Sequence, residues 1–198
     1  MKIESFDKLV ERAKRCTVCE AQLPQPPRPV FTASETAKIV IIGQAPGIKA
    51  HDSATPWNDA SGDRLRAWTG IPREVFYSVD TIALIPMGFC FPGYKNGADA
   101  PPRKECAPIW HKQLISRIAP ELIILAGRYA QQYYLPHYKT LTEAVAEHNL
   151  SQSNIMVLPH PSGRNNRWLT KNPWFTETIL PRLKMKVDEA LETKKPSD

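Results

Sequence analysis

The 198-residue sequence has no run approaching the ~18 consecutive apolar residues of a membrane span. Its opening stretch, MKIESFDKLVERAKRC, carries no apolar signal-peptide core. A secreted or membrane-embedded protein is therefore not expected, and a cytoplasmic location is. Internal repeats and low-complexity blocks are missing, which excludes solenoids and arrays. Cysteine is scarce, at four residues. A chain of this length buries roughly two-thirds of its unfolded surface, so a conventional core needs no disulfide staples. Glycine is sparse as well, at nine residues, whereas the nineteen prolines exceed the usual share of about 5%. The prolines fall in bursts: Pro24 to Pro29, Pro86 and Pro92, Pro101 and Pro102, Pro159 and Pro161. Because proline fixes φ and removes a donor, these bursts mark loops that hold a shape at little entropic cost. Charge of one sign is only mildly in excess, 26 Lys and Arg against 20 Asp and Glu, or +6. That surplus favours a phosphate backbone only if it gathers on one face.

What is present is an alternation. Four apolar runs rich in Ile, Val and Leu read as buried parallel strands: 38–43, 76–85, 121–127 and 154–159. Between and around them, helical patterns cover 4–15, 62–69, 104–119, 128–135 and 140–149, and a closing helix covers 174–193. Pro181 should kink or divide that last helix. The tail from about 193 should fray. Strands alternating with helices predict one α/β domain over residues 1–198: three layers, α/β/α, around a four-stranded, mainly parallel sheet. In such a sheet ligands bind beyond the carboxyl ends of the strands. Three strands here run into unusual loops, GQAPG, PMGFCFPG and PHPSGRN, which should meet at one rim.

In the first of these loops, Gly43, Gln44, Ala45, Pro46 and Gly47 let the backbone approach a ligand in a fixed shape, although a plain strand-to-helix turn would look the same. In the last, Pro159 and Pro161 flank His160 and present a preset imidazole able to donate to a developing anion. A capped surface loop with a structural histidine is the bland alternative. Arg164, Arg167 and Lys171 supply charge for phosphates, and Trp168 offers a ring to wedge into or stack on bases.

The two loops, in this order and at the ends of the first and last strands, resemble the uracil-DNA glycosylase superfamily. The likeness extends over "TPWNDASGDRL" (55–65), "VFYSVDTIAL" (75–84) and "PELIILAGRYA" (120–130). It is greatest to the iron-sulfur branch, often called family four, whose first motif reads GEAPG. The resemblance implies a DNA glycosylase of base-excision repair that flips a deaminated or damaged base, uracil or a relative, into a pocket and hydrolyses its N-glycosidic bond. It implies a DNA partner, no membrane, and action as a monomer. His160 would donate to the departing base, and the backbone of Gly43, Gln44 and Ala45 would hold base and water. Trp57 would stand for the stacking aromatic, while Ser162, Arg164 and Asn165 would grip phosphate. Cys16 and Cys19 form a C-x2-C, and Cys90 and Cys106 flank a Pro/Gly-rich loop, the arrangement with which that branch holds a [4Fe-4S] cluster. Zinc has the same ligand count, and four free thiols are the remaining alternative.

Two departures stand out. The family's loop carries a carboxylate where this chain has Gln44 or Ala45, so His51, Asp52 and Asp59 are the candidates to activate water. The strand matching the family's "VYITN" puts Asp80 where an Asn reads uracil's edge, and a carboxylate repels the O4 carbonyl. A base with an exocyclic amino group would suit Asp80 better, unless that strand is out of register and Asp80 is structural. Two other classes stay open: a nucleic-acid-binding protein of the same fold with weak or no hydrolysis, and a hydrolase of small nucleosides. The basic loop favours a polymer over the latter.

Overall fold

A computed structural model describes residues 4–192; the predicted end of the last helix at 193 and the fraying expected beyond it lie outside the described residues. In chain order the first half holds α1 (Phe6–Lys14), β1 (Ile39–Ile42), α2 (Ile48–Ser53), α3 (Ala60–Thr69), α4 (Arg73–Phe76), β2 (Ile82–Leu84) and a hairpin of β3 (Tyr94–Lys95) and β4 (Ala98–Asp99). The second half holds α5 (Lys112–Ile118), β5 (Leu122–Ala126), α6 (Arg128–Tyr134), α7 (Leu141–Glu147), β6 (Ile155–Leu158), α8 (Asn166–Lys171) and α9 (Leu180–Glu192).

The main sheet is parallel throughout in the order β2-β1-β5-β6, with Ile39 beside both Ile82 and Leu122 and Ile123 beside Ile155. Ile39 to Ile42 are wholly buried, as expected of strands covered on both faces. Helices flank the sheet to give the three-layer α/β/α arrangement: α9 lies on β1 and β5 with α3 against it, α6 and α7 lie on β5 and β6, and α1 packs on α5. Both outer edges are closed, which removes templates for unwanted strand pairing. Along β2, Thr32 and Leu84 exchange backbone hydrogen bonds at 3.0 and 2.9 Å. Along β6, the buried Asn149 amide donates to the Val157 carbonyl and accepts from its N–H, both at 2.7 Å.

Several boundaries differ from the sequence expectation for physical reasons. The strand predicted over 76–85 shrinks to Ile82–Leu84, because Pro72 opens a helical turn that buries Phe76. A short apolar run cannot distinguish such a turn from a strand. The helix predicted over 104–119 begins with a wide turn, Ala107–His111, before α5. A second wide turn, Phe175–Ile179, precedes α9 and leaves Pro181 at its second residue. The helical run passes through Pro181 without a break, and the wide turn just before it is where the hydrogen bond lost to the proline is absorbed.

From β1 the chain crosses to β2 on one side, whereas β5 leads to β6 on the other. The loops after β1 and β5 therefore diverge at adjacent strand ends, which opens a crevice at the carboxyl rim of the sheet.

Candidate active site

That crevice is a cavity of about 470 Å³. The loop after β1 contributes residues from Gly43 to Gly47, and the loop after β6 contributes His160, Ser162, Arg164 and Asn165. Pro86 beyond β2 and Trp57 and Asp59 before α3 complete the groups that the sequence suggested. Two contributors were not among the site residues expected from the sequence: Gly127, Arg128 and Tyr129 after β5, and Ala98 and Asp99 of the hairpin. The Asn96-Gly97 dipeptide of that hairpin, an I′ turn signal, was the cue available.

The loops are locked to one another. The carbonyls of Gly43 and Gln44 accept from the amides of Met87 and Gly88 at 2.9 and 3.0 Å, which joins the loop after β1 to that after β2. The Asn165 amide donates to the His160 carbonyl at 2.7 Å and closes the loop after β6 on itself. Gly127 sits at φ +101, where an L side chain is strained, and a Cβ there would lie 3.2 Å from the His160 Cβ. The His160 ring makes no hydrogen bond with any described residue. Burial lowers its pKa, opposed by the negative charge of Asp59, so the imidazole is neutral near pH 7 and has an N–H to donate.

Trp57 stacks on that ring, centroids 5.5 Å apart and planes 27° from parallel. Its backbone is in the left-handed region, φ 56, a position that a bulky residue holds only when its surroundings force it. The forcing groups are visible. The Tyr77 hydroxyl donates to the Trp57 carbonyl at 3.1 Å and Arg66 reaches it at 3.5 Å, while the indole presses on Gly43, where any Cβ would be 2.5 Å from the ring.

Several expected site residues lie elsewhere. Asp80 stands before β2, at the amino end of the sheet and away from the cavity, where its carboxylate accepts from Ser34 and Thr36 at 3.1 and 3.0 Å. The residue that the loop after β2 brings to the rim is Pro86, which has no side-chain donor or acceptor, so the base-reading position assigned to Asp80 does not fit this placement. His51 is buried on α2 against Phe91, and Asp52 is exposed with its carbonyl bound by Arg28; neither lines the cavity, because the helix carries both away from it. Trp168 is no wedge. Its indole N–H donates to Thr142 at 2.8 Å and its ring packs on Trp174 and Phe175. Arg164 donates to the Gly97 carbonyl at 2.7 Å, whereas Arg167 and Lys171 are exposed on α8.

The four cysteines, none in a disulfide, converge from three segments on one small cavity, also lined by Leu23, Pro27 and Phe89. Among the described residues no three His, Cys, Asp or Glu side chains close on a point able to hold a single ion. The thiols instead surround a space. Burial pushes Cys90 up to about 11 and Cys106 up to about 12, with the neighbouring cysteines adding to both. Such thiols give up protons only to a bound cation. The Phe89 amide donates to Cys106 Sγ at 3.4 Å and the Arg28 amide to Cys90, and N–H···S contacts of this kind suit a thiolate-bound centre. Four thiols around one cavity are a donor set that a thiolate-bound metal centre can use.

No described helix is long and apolar enough to cross a membrane. Residues 29–184 match the family described as the Uracil DNA glycosylase superfamily. The chain is also similar to the "Type-4 uracil-DNA glycosylase" of Archaeoglobus fulgidus, 27% identical over 136 residues, which are 66% of this chain and 64% of that protein. The match thus spans just under two-thirds of the relative's length. Because the family match takes in most of the sequence, the chain belongs to the uracil-DNA glycosylase superfamily.

Proposed function

We propose that this member of the uracil-DNA glycosylase superfamily is a cytoplasmic, monomeric DNA glycosylase, which removes a deaminated or damaged base during base-excision repair. The observation that carries the reading is the convergence of four strand-end loops on one cavity containing His160, Trp57 and the backbone of Gly43 to Gly47. Breaking the bond between base and deoxyribose develops negative charge on the leaving base. The neutral His160 has the N–H to meet that charge, and its loop holds it in place before substrate arrives. A flipped base costs a few kcal/mol to unstack, offset by stacking on Trp57 and by contacts to the flanking phosphates. Ser162, Asn165 and the exposed Arg167 and Lys171 would contact those phosphates, and Arg128 would add charge at the cavity wall.

Cys16, Cys19, Cys90 and Cys106 would hold a [4Fe-4S] cluster, supported by their cavity and by the likeness to the type-4 enzyme. Its contribution is a cross-link between the end of α1, the loop after β2 and the start of the α5 segment, since hydrolysis needs no electron transfer.

A second reading has one observation in its favour. Trp57 already lies face to face with His160 at 5.5 Å, and a base inserted between two rings needs roughly 7 Å, twice the contact distance of about 3.5 Å. A protein that binds nucleic acid and hydrolyses weakly would look the same. Strand cleavage after alkali, on single-lesion oligonucleotides carrying uracil, hypoxanthine, xanthine or oxidised pyrimidines, separates the readings. Excision of any one lesion, lowered about 10²-fold in His160→Ala with binding retained, upholds the glycosylase. Binding without cleavage on the whole panel supports the second reading.

A further inference from the structure

Hydrolysis requires a group that takes a proton from the attacking water. Gln44 and Ala45 carry no carboxylate, and among the described residues the cavity wall offers two, Asp59 and Asp99. Asp59 is committed: it accepts from the Gly62 amide at 2.9 Å and caps α3, and a hydrogen bond to the charged form weakens a base.

Asp99 is held differently. It ends a hairpin whose turn, Asn96 at φ 52 and Gly97 at φ 68, has the two left-handed residues of a type I′ turn. Arg164 from the loop after β6 clamps Gly97 at 2.7 Å, and the Gln44 side chain from the loop after β1 donates to the Ala100 carbonyl at 3.4 Å. Both motif loops thus grip the segment on either side of Asp99. Its Oδ2 lies 3.4 Å from where Gly47 would carry a Cβ, against the backbone of the GQAPG loop. No described residue donates a hydrogen bond to the carboxylate, so its lone pairs are available to a water.

We propose that Asp99 is the catalytic base, resting on the glycosylase reading above. As the bond from C1′ to the base nitrogen breaks, its electron pair leaves on the base, which His160 stabilises by donation. The water oxygen bonds to C1′, one water proton passes to the Asp99 carboxylate, and the departed base takes up a proton from solvent. Burial and the charge of Asp59 raise the pKa of Asp99 above the usual carboxylate value, with Arg164 pulling the other way. That brings its basicity closer to working pH, where a general base is most effective. The titratable and charged groups that line the cavity with it are Asp59 before α3, Arg164 and the neutral His160 of the loop after β6, and Arg128 and Tyr129 after β5.

The test is single-turnover excision with wild type, Asp99→Asn, Asp99→Glu and Asp99→Ala, alongside binding to the same oligonucleotide. Turnover in Asp99→Asn should fall about 10²-fold or more, with affinity within about two-fold of wild type. The acid limb of the pH profile should vanish in that variant, and Asp99→Glu should keep part of the rate. Added formate should restore turnover to Asp99→Ala. Turnover of Asp99→Asn within about three-fold of an active wild type overturns the assignment. Where a variant also loses thermal stability, formate decides: rescue upholds Asp99 as base, and no rescue overturns it. A wild type inactive on every lesion removes the glycosylase reading, and this one with it.

Discussion

Replacing Gly62 by Ala tests how strictly the cavity wall is built. A Cβ on Gly62 would lie 1.8 Å from the Trp57 carbonyl oxygen and 2.7 Å from its carbonyl carbon. Both are backbone atoms, so no side-chain rotation relieves the overlap, and ordinary contact demands a retreat of about 1.5 Å. Trp57 has nowhere to retreat. Its carbonyl is bound by Tyr77, its indole already meets Gly43 and His160, and Asp59 ties the amide of Gly62 itself. Either the first turn of α3 rotates or Trp57 leaves its left-handed backbone. Overpacking of this kind costs about 1 to 3 kcal/mol, or roughly 4 to 8 °C in Tm for a domain of this size at about 2 kcal/mol. A displacement of about 1 Å at a reacting group costs about 10²-fold in rate, so single-turnover excision should fall by about that factor. Gly163→Ala is the matched control for stability, because nothing lies within 4 Å of a Cβ there; its Tm should stay near wild type. Thermal unfolding and excision assays on both variants decide the matter. A Gly62→Ala protein with wild-type Tm and turnover would refute the account of a wall locked around Trp57.

Asp80→Asn should leave excision of every lesion within about two-fold of wild type, since Asp80 serves Ser34 and Thr36 at the far end of the sheet; a gain on uracil would return Asp80 to the base pocket. Anaerobically purified protein should be brown with broad absorbance near ~400 nm, and Cys106→Ser should lose that colour and melt at lower temperature; colourless protein with one equivalent of zinc would hand the site to zinc. His111 provides a pH test. Burial pushes its pKa down from 6.5 to about 4, while its ring bonds the Tyr134 hydroxyl at 2.7 Å and the Pro86 carbonyl at 3.0 Å. The unfolded chain binds the extra proton over that window, so this group's stability contribution is present above pH 6.5 and is lost as pH falls toward 4, by about 3 kcal/mol. Denaturant melts across the window measure the slope, and an NMR titration of His111 near 6.5 would sink the explanation.

The sequence by itself determined the layers and the rim. Apolar runs such as Ile39–Ile42 and Leu122–Ala126 have one way to bury both faces, in a parallel sheet between helices. Chain order then obliges the GQAPG and PHPSGRN loops to lie at the same end. Gathering the four cysteines followed from the family resemblance, and in the structure all four line one small cavity. Which side chains face the cavity was a different matter, decided only by tertiary contacts. Asp80 fell at the wrong end because the turn at Pro72 shortened β2 to three residues. His51 and Asp52 turned away with α2, and Trp168 went inward because Trp174 and Phe175 offered it apolar surface and Thr142 a hydrogen-bond partner. Asp99 entered the cavity because Arg164 and Gln44, distant in sequence, fasten its hairpin there. Local periodicity reports which residues a strand or helix buries. The direction in which a loop points is set by hydrogen bonds to partners many residues away, and no local pattern carries that information.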